Sequence, residues 1–275
     1  MEETIHTIII PENQNLSRKK GSAMFPLTHL YTAKAVLGYE NNLTSLGALF
    51  PDYGAFLGLG RNLCHEMGVD MYHYAAENDP AHLDFALGAM THGTALPGID
   101  WYADEEYHGV RPGFCFQRGE VIAEETAKIC NLPSNMALWK THNIIELAFD
   151  AVTEKKHPHI AATVLSALPK EGEDYCTAFL EGYLRKPAAD IRRMFTEVST
   201  YFSFDGSNID EMAEKFIASL KRRHNIEHCD KEGLIHLIGK AIELVEPIYD
   251  DFMAEAFENI TSALYKRTGI KHPAI

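Results

Sequence analysis

The sequence predicts an all-α protein built as a single domain. Three observations carry this. Apolar residues recur at three- and four-residue spacing over most of the chain, which is the period of a helix face. Strand signals are nearly absent, with no internal repeat and no low-complexity linker. With 46% apolar residues in 275, the chain can fill a large core.

The elements follow in order. Residues 1–22 hold a short apolar run, Thr7 to Ile10, then a basic stretch ending at Lys19-Lys20-Gly21, read as an ordered edge or a loose arm. Pro26 suits a first helical position, Leu27, Leu30, Ala33 and Leu37 share a stripe, and Gly38 is placed to stop the helix. Asn42 to Phe50 forms a shorter helix broken by Pro51, so Asp52 is expected just past its end, in a turn or aimed inward. A helix over 55–67 ends at Gly68 and carries His65. Asn78-Asp79-Pro80 starts the next, which runs to His92 and closes at Gly93. Residues 93–119 are rich in glycine, proline and aromatics without a period, which predicts a long structured loop of the functional kind. Helices are expected over 120–130 and 135–154, then over 159–167, 172–185, 188–204, 209–223 and 231–265. Asn208 with Glu211 and Asp230 serve as caps, and Pro247 as a kink.

Composition narrows the partners. Lys plus Arg come to 25 against 39 Asp plus Glu, a net charge of −14, which excludes nucleic acid held in a basic groove. The acid excess suits a site that gathers divalent cations, although solvated acidic helix faces produce the same balance. No run approaches about 18 apolar residues and the acidic start does not read as a signal peptide, so no transmembrane segment and a soluble, cytoplasmic protein are expected. Five scattered cysteines without a CxxC spacing are expected to be reduced and mostly buried.

The sharpest local signal is His142 with Glu146, four residues apart in WKTHNIIELAFD, so both side chains leave one helix face about one turn apart. Trp139, Ile145 and Phe149 suggest that this face is not simply exposed. Upstream, His92, Asp100, Asp104 and His108 flank a Pro97-Gly98 break able to turn carboxylates into a pocket. Together with His29, Asp52 and His65 these supply enough nitrogen and oxygen donors for a cluster of zinc-type ions and a hydrolytic water. An isolated histidine is usually a packed or solvated one; taken singly, His65, His73, His82 and His108 read that way, and so does the pair His224/His228. Activated cysteine, P-loop, nucleophile-elbow and dinucleotide signatures are missing.

PLTHLYTAKAVLG, LGALFPDYG, FALGAMTHG and HNIIE, over about residues 24–150, resemble the zinc-dependent phospholipase C family, whose fold is shared with single-strand nucleases. The resemblance implies an all-helical phosphodiester hydrolase, with a metal-site half over 22–150 and C-terminal helices over 157–265 covering it. It implies one to three divalent ions, zinc first with iron or manganese as alternatives, held by His29, Asp52, His65, His92, His142 and Glu146. The substrate would be a small phosphoester or a phospholipid-type molecule, and the C-terminal helices could form a homo-oligomer interface. One position departs from the family: an aspartate four residues after the histidine at His92 is replaced by Leu96. Asp100 or Asp104 could fill that place, or act as general base on the attacking water. Trp101, Tyr102 and Tyr107 are expected along the pocket wall. Looser similarity to acyl-carrier-protein phosphodiesterases and HD-type phosphohydrolases keeps metal hydrolysis but changes the substrate. A helical binding protein with a degenerate metal site is the alternative of a different class, with Leu96 as its main support.

Overall fold

A computed structural model describes residues 26–160, 175–202 and 207–270, with side chains omitted over 199–202. The arm expected over 1–22 and most of the helix expected over 159–167 lie outside these residues. The described chain is helical, with one isolated bridge, Tyr107 to Val110, in place of any strand. No described helix is long and apolar enough to cross a membrane.

Helix α1 (Pro26–Leu37) has the expected limits, and Gly38 ends it with φ 75°. In α2 (Asn42–Tyr53), Asn41 and Thr44 cap each other reciprocally. That helix passes through Pro51, so Asp52 belongs to its last turn and does not lie beyond it. Pro51 forfeits one amide bond close to the helix end, where the Gly54 amide still closes on the Phe50 carbonyl. The single helix expected over 55–67 is divided. A 3-10 turn over Gly54–Leu57 ends at left-handed Gly58, and α3 (Arg61–Glu66) follows. Gly68 does not stop a helix but begins one, α4 (Gly68–Asn78), where a side chain would press on the Ala89 and Met90 backbone at 3.2 Å.

A 3-10 turn over Pro80–His82 leads into α5 (Leu83–His92), which ends at His92 as expected. Helices α2 and α5 cross at their glycines: a Cβ on Gly47 would meet the Phe85 carbonyl oxygen at 1.9 Å, and one on Gly88 the Thr44 carbonyl oxygen at 2.1 Å. The loop expected over 93–119 is shorter, holding a π-type turn over Trp101–Glu105 before α6 (Phe114–Gly119). Then come α7 (Ala123–Ile129), α8 (Ser134–Lys156), α9 (Thr177–Leu184), α10 (Ala188–Phe202), α11 (Ile209–His224), α12 (Lys231–Val245) and α13 (Tyr249–Thr268). Asn208 and Asp230 cap α11 and α12 as expected. Pro247 lies in a 3-10 turn that separates α12 from α13.

Two main apolar clusters result. One joins α8 to α11, α12 and α13 through Ile145, Phe149, Met212, Leu237, Tyr249 and Phe252. The other joins α2 and α5 to α9 and α10 through Phe50, Phe85, Phe179 and Phe195. Tyr31 of α1 packs against both, which puts α1 between α2 and α5 on one side and α8 on the other.

Candidate metal centre

Eight donor residues from five helices and one loop converge beside α1. His29 comes from α1, Asp52 from α2, His65 from α3, His92 from α5, Asp100 and Asp104 from the 93–113 loop, and His142 and Glu146 from α8. All are buried except Asp52, which is partly buried. Of the nine donors named from sequence the structure gathers these eight and leaves out His108.

The first group surrounds Asp100. Its Oδ2 lies 3.0 Å from His65 Nε2 and 3.3 Å from His92 Nε2, and its Oδ1 lies 3.6 Å from His29 Nε2. Asp52 stands 3.7 Å from His29 Nε2 and 4.0 Å from His65 Nε2. Two donors on one tetrahedral zinc, each bonded at about 2.1 Å, are about 3.4 Å apart, so these separations bracket the spacing such an ion requires. The rings are held from behind. His92 Nδ1 bonds the Ala48 carbonyl at 2.6 Å and His65 Nδ1 the Arg61 carbonyl at 2.8 Å, which leaves Nε2 of each as the ligand nitrogen. His29 stacks on His92 with centroids 3.5 Å apart.

Leu96 packs with Leu37, Val69, Leu87 and Met90, whereas Asp100, four residues further on, faces the three histidines. The chain returns tightly to make this possible: the Gly98 amide bonds the Gly93 carbonyl at 2.9 Å, and a Cβ on Gly98 would lie 2.6 Å from the His92 carbonyl carbon.

The second group is Asp104, His142 and Glu146. His142 Nε2 lies 3.9 Å from Asp104 Oδ1 and 3.8 Å from Glu146 Oε1. Phe116 of α6 stacks on His142 at 4.1 Å and fixes its ring plane. The Asn143 amide donates to Glu146 Oε2 at 2.9 Å and sits 3.0 Å from His142 Nε2, a contact that an ion bound there would displace.

The electrostatics match a site short of positive charge. Burial, then the charge of Asp100, pushes Asp104 up to about 8. Burial, then Asp104 and Asp100, raises Glu146 well above the usual carboxylate range, and burial raises Asp52. Burial acts the same way on Asp100, but His92 and His29 outweigh it and hold that carboxyl well below its ordinary value. Burial, then His92, lowers His29, and burial, then Arg61, lowers His142 to about 3, so both rings are neutral and fit to bind a cation. Asp52 Oδ2 and Asp104 Oδ1 are buried without a hydrogen bond. Burial lowers His92 but Asp100 outweighs it and raises that ring, so the unpartnered carboxylate oxygens stand beside the neutral rings of His29 and His142, a donor set that suits a divalent ion of the zinc type.

Sequence reasoning missed Arg61. Its Nη2 lies 2.6 Å from Asp104 Oδ2 and 3.5 Å from Asp100 Oδ2, so one guanidinium touches a carboxylate from each group. Burial works against its charge, but Asp104, Asp100 and Asp52 outweigh burial and raise its pKa. Arg61, His65, Leu96, Trp101, Glu105 and Arg267 line a cleft of about 830 Å³ that opens onto the first group. Of the three aromatics expected along the wall, Trp101 is there. Tyr102 and Tyr107 pack against the α8 core, with Tyr107 also stacked on His108. His108 is remote from the donors and pairs with Glu255 at 2.9 Å on the surface.

No family model, curated protein or solved structure matches the chain.

Proposed function

We propose that this protein is a metal-dependent hydrolase of phosphoesters, with zinc as the ion its donor set suits best. The observation that supports the reading most is three close donor sets, His29 with Asp52 and His92, His65 with His92 and Asp100, and Asp104 with His142 and Glu146, in which only Asp52 is partly exposed. The resemblance of residues 24–150 to zinc-dependent phospholipases C points the same way.

Bound there, divalent ions supply a water acidified towards about pH 7 and a Lewis acid for a phosphoryl oxygen. The chain supplies the rest. Ala48 and the Arg61 carbonyl fix the tautomers of His92 and His65 by accepting their Nδ1 protons. Burial of the donors excludes bulk water and strengthens each charge interaction. Asp100 and Asp104 are assigned here as ligand oxygens, so neither is left as the separate general base the sequence allowed. The 830 Å³ cleft beside His65 admits a small phosphoester or the head of a larger one.

The test is metal content per chain after purification without added metal or chelator, followed by hydrolysis of bis-p-nitrophenyl phosphate. One or more equivalents of zinc, with activity abolished by His92→Ala, is expected. Protein that neither carries nor takes up a divalent ion would end this reading.

A further inference from the structure

The position of Arg61 bears on how many ions the site holds and which phosphoester it accepts. The three-residue sets His29, Asp52, His92 and His65, His92, Asp100 share His92. That ring has only Nε2 to give, because Nδ1 is engaged by the Ala48 carbonyl at 2.6 Å. A lone imidazole nitrogen binds one ion, so His92 completes one of these two sets and not both, and that set is one centre while the Asp104, His142, Glu146 set is the other.

Arg61 stands between them. It lies four residues before His65 in α3, on the same helix face, and its carbonyl holds His65 while its side chain spans Asp100 and Asp104. Asp104 divides its oxygens: Oδ2 is bound to Arg61, whereas Oδ1 faces His142 without a hydrogen bond. The arginine therefore does not occupy the ligand atom. Its side chain is 52% exposed and lines the cleft, so further N–H donors of its planar fork are accessible from there.

Charge decides the substrate. Asp52, Asp100, Asp104 and Glu146 bring four negative charges, which two divalent ions neutralise. Arg61 then leaves one positive charge beside the ions, while the cleft wall sets Arg267 against Glu66, Asp70 and Glu105, and that acidic wall favours the single negative charge of a phosphodiester over the double charge of a phosphomonoester.

Resting on the metal-dependent reading above, we infer that two divalent ions fill the two centres and that Arg61 is the third cation, binding a non-bridging oxygen of a singly charged phosphodiester in the cleft.

The experiment compares the wild type with Arg61→Gln and Arg61→Lys. Zinc per chain is read by elemental analysis, and binding of diphenyl phosphate and phenyl phosphate to the zinc-loaded protein by calorimetric titration. Two zinc ions are expected in all three proteins. Loss of the charge-assisted contact weakens diphenyl phosphate about tenfold or more in Arg61→Gln, with partial recovery in Arg61→Lys. In the wild type the diester binds more tightly than the monoester. Three ions in the wild type, loss of an ion from Arg61→Gln, or unchanged diester affinity in that variant would overturn the inference. Wild-type protein without metal would overturn the hydrolase reading with it. Two ions and Arg61-dependent diester binding, without turnover of any diester, would support Arg61 while removing the hydrolase.

Discussion

Asp150 Oδ1 accepts from both the backbone amide and the hydroxyl of Thr28, each at 2.9 Å. Asp150 belongs to α8 and Thr28 to the first turn of α1, so a carboxyl from one helix caps the open amide end of another. The Thr28 hydroxyl continues to Thr153 at 3.1 Å, and Thr153 to Tyr249 at 2.8 Å, which ties α1, α8 and α13 at one buried point. Thr28 precedes His29, and Asp150 lies one turn after Glu146. This cap therefore sets the position of one donor group relative to the other.

Replacing Asp150 with Ala removes the acceptor and leaves a buried amide and hydroxyl unpaired, at a cost of about 2–4 kcal/mol. Asp150→Asn keeps an acceptor oxygen and should cost less than half as much. Urea unfolding of the metal-free proteins reads both values. Equal losses in the two variants would mean that the cap is not what Asp150 contributes.

The same carboxyl makes stability depend on pH. Burial, opposed by the bonds from Thr28, pushes Asp150 up to about 8, against about 3.9 in an unfolded chain. The folded state therefore keeps a proton that the unfolded state lacks between those limits. Its contribution is fully present below about pH 4 and is lost as pH rises through about 8, at about 1.4 kcal/mol per unit. Asp150→Asn deletes this titration while Asp52, Asp104 and Glu146 remain. The variant should accordingly gain on the wild type as the pH of metal-free samples is raised from 5 to 8. Parallel pH profiles would contradict this.

Local features of the site were legible in the sequence, whereas long-range ones were not. The one-turn spacing of His142 and Glu146, the helix end at His92 and the break at Pro97-Gly98 each follow from nearby residues, and each is found. Asp100 could be nominated because the turn that aims it lies beside it. Arg61 carries no such mark in GLGRNL, since its meaning comes from carboxylates about 40 residues further on, brought near by the return of the loop onto α5. Asp150 is equally silent, as its partner lies 122 positions away. Proline and glycine misled where tertiary packing overrode their local habit: Pro51 is carried within α2, and Gly68 begins α4 because only a small residue fits against α5.

The α2–α5 crossing gives a test of how packing positions the donors. A methyl on Gly88 would lie 2.1 Å from the Thr44 carbonyl oxygen and 2.8 Å from the Ala48 amide nitrogen, both backbone atoms that cannot swing aside. Gly88→Ala should cost about 3 kcal/mol or more in thermal or urea unfolding, despite the better helix propensity of alanine. Separating the helices also draws the Ala48 carbonyl away from His92 Nδ1, so zinc affinity should fall. A variant as stable as the wild type would show that the helices do not meet this closely.

Two donor groups that share no residue should empty independently. His142→Ala and Glu146→Gln each remove a donor from the Asp104 group and leave the five residues around Asp100 intact, so the zinc content should drop by one equivalent. His92→Ala should remove the other equivalent, because His92 Nε2 belongs to both three-residue sets on that side. Losing one good donor typically weakens metal binding by at least the 10–100-fold seen when only its supporting hydrogen bond is removed. Elemental analysis after dialysis against a weak chelator separates the cases. If His142→Ala released all the zinc, the groups would form one interdependent cluster. If it released none, the His142 and Glu146 pair would be an ordinary buried contact held by Asn143.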